Sequence, residues 1–247
     1  MQPDYKNSVY TFFAVNLTLI FWSENERRVS SYAYCGNNPV RFIDPDGRSY
    51  GDFWNEKGKF IGNDGLDDNK VYIIKSENSK STEKFVKENS GNTKAFQDNK
   101  MAYNNSIEIE GSSTARQAMV NIVSADNGKG GTAEANNREY GGSIQNGTVV
   151  AETPGAVANP LVEKNASIML LVGYSTFHSH PSGTNSESVA GGTRNAWFNQ
   201  PPSTVDIDNA GTHTNYVFGR GNGKVYIYTS GGVQAVIPMK QFVNPKR

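Results

Sequence analysis

Two histidines one residue apart, His178 and His180, close an apolar run that begins at Ile168, and Pro181 follows them directly. Alternate residues of an extended chain project to the same side, so both imidazoles face one point in space. Neutral imidazole is a good zinc ligand, and a catalytic zinc needs three protein ligands plus one open position. The fold must therefore bring a distant segment to this strand. Downstream, Ser203-Thr204-Val205-Asp206 sets a hydroxyl three residues before a carboxylate, a spacing that presents both on one helical face. Asp206 is the candidate third ligand. Asp208 is the neighbouring alternative, but it lacks that spacing from Ser203.

Metal-assisted hydrolysis also needs a base within reach of the water without being a ligand itself, and a carboxylate serves at neutral pH. Glu139 fits best. It sits in Arg138-Glu139-Tyr140-Gly141-Gly142-Ser143-Ile144, where a loop passes into a strand and two glycines permit close backbone approach. Glu134, Glu152 and Glu163 compete with it and read as solvated loop charges. His213 leaves open a site of three histidines, although its place before a strand reads as exposed. Gly219-Arg220-Gly221-Asn222-Gly223-Lys224 resembles a phosphate loop only superficially, because Phe218 and Val225 stand where glycine and Ser or Thr are required. It reads as a turn.

The rest of the chain supplies the frame. At 247 residues there is room for one full domain and a smaller appendage. Lys and Arg (24) balance Asp and Glu (24), so no net field favours nucleic acid or an anionic membrane. A 36% hydrophobic fraction with abundant Gly and 11% aromatics suits a β-rich fold with many turns. A helix is expected over 113–124, capped by Thr114, with Ala118, Met119, Ile122 and Val123 as its apolar stripe. Further expectations are a hairpin at Asn146-Gly147, a buried strand over 168–177, and strands over 70–74, 214–219, 224–229 and 233–237. Residues 49–105 are polar with little periodicity and read as a linker or pre-toxin region. Cys35 is the only cysteine, excluding an intrachain disulfide, and reads as a bland thiol. The apolar run Val9 to Trp22 is too short for a membrane helix and lacks the basic leader of a signal peptide; it reads as a strand.

Two stretches resemble known families. Tyr32-Ala33-Tyr34-Cys35-Gly36-Asn37-Asn38-Pro39, followed by Asp44-Pro45-Asp46-Gly47, resembles the end of the Rhs repeat-associated core. That resemblance implies a core remnant over residues 1–48, with an effector after it. The ordered set Glu139 before a glycine-rich strand, His178-Ser179-His180-Pro181 and Ser203-x-x-Asp206 resembles the JAB or JAMM metallopeptidases. It covers about 106–247 and implies an α/β (α+β) domain with a central mixed sheet flanked by helices. Zn2+ would be held by His178, His180 and Asp206, with Glu139 moving the proton and Ser203 supporting the oxyanion.

Together the resemblances imply a secreted or delivered bacterial toxin that hydrolyses a peptide or isopeptide bond in a target cell. A cognate immunity protein would be its partner. Two alternatives stay open: a non-catalytic module of the same fold, and a metal-dependent hydrolase of a non-peptide substrate. His180 and Ser203 lie further apart than is usual in the family. The extra stretch, Ser186 to Pro202, is expected to loop out beside the metal and bring Trp197 and Phe198 to a substrate cleft.

Overall fold

In the computed structural model, residues 51–246 are described. The Rhs-like motif, Cys35 and the apolar run from Val9 lie outside them. Within 51–75, two short segments, Phe53-Trp54 and Val71-Tyr72-Ile73-Ile74, are apolar at consecutive positions, so both of their faces must be covered. They form β1 (Asp52–Asn55) and β3 (Val71–Ile74), parallel to each other in register Asp52↔Val71. β2 (Phe60–Asn63) and β4 (Ser106–Ile109) flank them antiparallel, in the order β2-β1-β3-β4.

One face of this sheet, carrying Phe53, Tyr72 and Ile74, packs on α1 (Ser79–Glu88), α2 (Thr93–Asp98) and α3 (Met101–Asn104) through Val86, Phe96 and Ala102. The opposite face, carrying Trp54, Val71 and Ile73, joins the main core. The stretch expected to be a linker is thus a folded layer. Its polar residues occupy helix surfaces, and a few large apolar side chains in four-residue strands suffice to bury it. A boundary at residue 106 would cut β4 from β3, and the described residues belong to one compact unit.

Helix α4 (Ser113–Val123) appears near its expected place, but Ser112, accepting from Ala115 N at 3.2 Å, caps it instead of Thr114. Its buried stripe is Ala115, Arg116, Met119 and Val123, so Arg116 rather than Ala118 faces inward. The guanidinium lies under the Trp54 ring and donates to the carbonyls of Glu110, Gly111 and Val243.

The larger sheet is mixed, in the order β12-β11-β10-β7-β5-β6. β5 (Gly141–Gln145) and β6 (Thr148–Ala151) form a hairpin whose Asn146 and Gly147 take φ of 50° and 76°, as a type I′ turn requires. β10 (Asn215–Gly219), β11 (Lys224–Thr229) and β12 (Gly232–Pro238) run as an antiparallel meander. Between them lies β7 (Ser175–His180), antiparallel to β5 and parallel to β10. The chain is therefore mixed α and β, with helices packed against its sheets.

β7 starts seven residues later than expected. Its antiparallel neighbour β5 ends at the Asn146-Gly147 turn, so the ladder offers no partner before Ser175. The segment 168–174 instead runs as an exposed loop, with Met169 89% and Val172 84% accessible. The stretch after His180 forms a separate hairpin, β8 (Thr184–Val189) and β9 (Gly192–Trp197), where a loop was expected. A five-residue helix, α5 (Thr204–Asp208), leads into β10. No helix among the described residues is long and apolar enough to cross a membrane.

Candidate metal centre

Strand alternation sorts β7 into two sides. Phe177 enters the main core, whereas His178 and His180 face the opposite surface of the sheet, where α5 lies. Both imidazoles are buried, and their Nε2 atoms approach to 3.2 Å. The β5–β7 register, Gly141↔His178, continues through Tyr140, whose N–H donates to Ser179 Oγ (2.9 Å) and whose carbonyl accepts from Ser179 N (2.7 Å). That register sets Glu139 across from His180, and cross-strand partners share a face. Glu139 Oε1 accordingly lies 3.8 Å from His180 Nε2.

Asp206 arrives from α5. Ser203 caps that helix in a reciprocal box: its Oγ accepts from Asp206 N at 3.2 Å, and Asp206 Oδ2 accepts from Ser203 N at 2.6 Å and Ser203 Oγ at 2.7 Å. The carboxylate is thereby held toward the histidines, with Oδ1 3.3 Å from His178 Nε2 and Oδ2 3.5 Å from His180 Nε2. Ser203 was expected to support an oxyanion. Here its proton is directed at Asp206, so its evident part is to hold that side chain.

Zinc bonds of about 2.0–2.1 Å in a tetrahedron separate neighbouring ligand atoms by about 3.3 Å. The two Nε2 atoms are 3.2 Å apart, and Asp206 approaches them with a separate oxygen each, Oδ1 at 3.3 Å from His178 and Oδ2 at 3.5 Å from His180. Glu139, His178 and His180 likewise form a buried group of potential ligand atoms within 4.8 Å of one another, which could hold a metal ion. The two groupings differ in their carboxylate. Asp206 makes the shorter contacts, one oxygen to each histidine, and Glu139 Oε1 lies 3.8 Å from His180 Nε2.

Electrostatics agree with a cation at this point. Burial pushes the Glu139 carboxyl up, against the pull of His178 and His180 and with a further push from Asp206. For His178, burial favours the neutral ring, but the Asp206 hydrogen bond and the charges of Glu139 and Asp206 outweigh it and raise the pKa. Asp206 is also pushed up by burial, yet hydrogen bonds from His178, His180 and Ser203 and the His178 charge hold it well below the usual carboxylate range. A buried carboxylate, Glu139, and a half-buried one, Asp206, facing two imidazoles stabilise positive charge. The Nδ1 atoms of both histidines are buried and have no hydrogen-bond partner among the described residues.

The competing residues lie elsewhere. Asp208 and Glu163 are exposed, Glu152 is half-buried on a loop, Glu134 pairs with Arg138, and His213 occupies the turn before β10 outside the cluster. The Gly219–Lys224 stretch is the turn between β10 and β11. Trp197 is 61% exposed with Lys164 over its ring, whereas Phe198 is 1% exposed and lines no open cleft.

Residue-type reasoning missed Asn215. Its Oδ1 accepts from Thr176 N and Oγ1 at 2.8 and 2.9 Å, and its Nδ2 donates to the Ala210 and His213 carbonyls. It thus ties the segment leaving α5 to the start of β7, setting Asp206 against the histidines. A buried Asn opening a strand is its only sequence signal. The chain matches no protein-family model, no curated protein and no solved structure.

Proposed function

We propose that this chain carries a zinc-dependent peptidase or isopeptidase of the JAB or JAMM type. The convergence of His178, His180 and Asp206 at tetrahedral ligand spacing, with the buried Glu139 one step behind, is the observation that carries the reading. Three protein ligands leave a fourth position for water or substrate, the mark of a catalytic rather than a structural zinc. Zinc held there would supply Lewis acidity toward a carbonyl and lower the pKa of water to about 7. Glu139 would accept the water's proton and return it to the leaving amine. Ser203 keeps Asp206 in place, and its hydroxyl would have to turn from that carboxylate to donate to an oxyanion. By its resemblance to the end of an Rhs core, the motif in residues 32–47 supports reading the domain as the effector of a secreted polymorphic toxin, which would act on a protein substrate in the target cell and be countered by an immunity protein in the producer.

One observation favours a second reading. Glu139 lies close enough to both histidines to be a fourth ligand, and a closed set of two histidines and two carboxylates would be a structural metal in a binding module. Metal analysis of the full chain, followed by incubation with a peptide library and ubiquitin-like isopeptide conjugates, tests the proposal. One zinc per chain and chelator-sensitive cleavage are expected. Zinc without turnover of any conjugate or peptide favours the closed site, and no bound zinc removes both readings.

A further inference from the structure

Pro181 and Ser182 follow His180 directly, and the position of His180 depends on what anchors this exit from β7. The anchor is a buried carboxylate outside the metal cluster. Asp126 lies in the loop after α4 and is completely buried. A buried carboxylate requires hydrogen bonds to remain charged. Its Oδ2 accepts from Ser182 N at 2.6 Å, and its Oδ1 accepts from Ser182 Oγ at 2.6 Å and from Gly128 N at 2.8 Å. Both carboxyl oxygens are thus engaged at short range by the one residue that follows Pro181.

The contacts close into a ring. Arg220, in the turn after β10, donates its Nε–H to the Asp126 carbonyl at 3.0 Å, and a second guanidinium nitrogen donates to the same oxygen. The Arg220 backbone N–H donates to the His180 carbonyl at 3.0 Å. From His180 the chain runs through Pro181 to Ser182, from there to the Asp126 carboxylate, and back through Arg220 to His180. Ser182 is itself buried and accepts from Gly130 N at 3.2 Å.

We infer that Asp126 is a positioning residue for the metal centre. Its carboxylate through Ser182, and its backbone carbonyl through Arg220, fix the chain where it leaves His180, keeping that imidazole at ligand spacing from His178 and Asp206. This rests on the zinc reading above. Apart from His180 itself, the ring engages the centre through no side chain of its own, so the effect passes through backbone placement. Outer partners of metal ligands commonly change affinity by about 10- to 100-fold when altered.

The test measures zinc affinity by competition with a chromophoric chelator, on the full chain, for Asp126→Asn and Ser182→Ala. Asparagine keeps the shape but turns an NH2 toward one of the Ser182 donors, whereas Ser182→Ala removes the two hydrogen bonds of the hydroxyl, to Asp126 Oδ1 and from Gly130 N, and leaves Asp126 bound to the backbone N–H of residue 182. Asp64→Asn is the control. Asp64 is also fully buried and accepts from Tyr103 Oη at 2.7 Å and Leu66 N at 2.9 Å, in the smaller sheet.

Expected is a zinc affinity about 10- to 100-fold weaker in Asp126→Asn, a smaller loss in Ser182→Ala, and unchanged affinity in Asp64→Asn, all read well below the melting temperature of the metal-free protein. Lowered melting temperatures with wild-type zinc affinity in both ring variants would overturn the assignment, leaving Asp126 a structural residue. Equal losses in all three variants would overturn it too. A wild-type chain that takes up no zinc removes the reading beneath it instead.

Discussion

Gly141 stands opposite His178 in the β5–β7 ladder, and a Cβ built on it would lie 2.8 Å from the His178 Cβ and 2.3 Å from the Phe177 carbonyl oxygen. Overlap with backbone cannot be relieved by turning a side chain, so Gly141→Ala must shift β7 against β5. The strand that moves carries both imidazoles. We expect a loss of about 1–3 kcal/mol in urea denaturation together with weakened zinc binding. Gly231→Ala, where the nearest atom to a new Cβ is 3.5 Å away, should change neither by much. Equal zinc affinity in the two variants would show that the close approach does not govern the metal site.

The two carboxylates should separate cleanly by substitution. Asp206 lies 3.3 Å from His178 and 3.5 Å from His180, whereas Glu139 lies 3.8 Å from His180. Asp206→Asn should therefore lose zinc, and Glu139→Gln should retain it while hydrolysis falls by about 10²- to 10⁴-fold. Metal content per chain and the turnover of a cleavable conjugate decide. Loss of zinc in Glu139→Gln would make that residue a ligand and the site closed.

Acidity should act on the metal and on the metal-free protein in opposite directions. Imidazole must be neutral to bind zinc, and Asp206 and Glu139 raise the His178 pKa despite its burial. Zinc affinity should therefore fall as pH drops through that raised value, at a higher pH than for an unperturbed histidine. In chelator-treated protein the sign reverses. The folded state holds the His178 proton and the Glu139 proton more tightly than the unfolded chain, so stability from both is complete at low pH and is lost as pH rises through their folded values. Asp206, held below its ordinary value, contributes stability above the usual carboxylate range that disappears in stronger acid. Melting curves should show the metal-free protein losing stability, and zinc adding more of it, as pH rises from about 5 to 8. A zinc-induced shift that is flat over that interval would contradict this assignment of the protons.

The site was more legible in the sequence than the scaffold. Histidine alternation in an extended segment is a local rule, and the capping spacing of Ser203 and Asp206 is another, so both survive without knowledge of the fold. The meander β10–β12 follows equally from short apolar runs between glycine-rich turns. Apart from the strand expected over 70–74, residues 51–109 were illegible because their strands are four residues long, too short for a period to declare itself, and their helices fully bury one apolar side chain each. Asp126 and Asn215 could not be nominated because their roles are long-range: each joins segments tens of residues apart in the sequence. Residues 168–174 misled for the converse reason. Composition alone marks Ile168-Met169-Leu170-Leu171-Val172 as a strand, but pairing depends on a neighbour, and β5 stops first.

The same exposure makes the segment around the hairpin testable. Trp197 and Phe198 are adjacent, yet one is 61% exposed with Lys164 5.5 Å from its ring centre, and the other is almost fully enclosed. Phe198→Ala should cost about 3–5 kcal/mol, as other buried aromatic truncations do. Trp197→Ala should cost no more than about 1 kcal/mol, the worth of an exposed cation–π contact. Lys164 also donates to the Trp197 carbonyl at 3.4 Å, and Arg194 of β9 donates to the Leu161 carbonyl at 3.1 Å, so the hairpin is braced against the loop that precedes β7. An exposed indole on a braced hairpin suits contact with substrate, because little ordering remains to be done on binding. Trp197→Ala should therefore raise KM for a cleaved conjugate with little change in kcat or melting temperature. A stability loss as large as that of Phe198→Ala would mean that the ring is structural, and unchanged KM would take the hairpin out of substrate recognition.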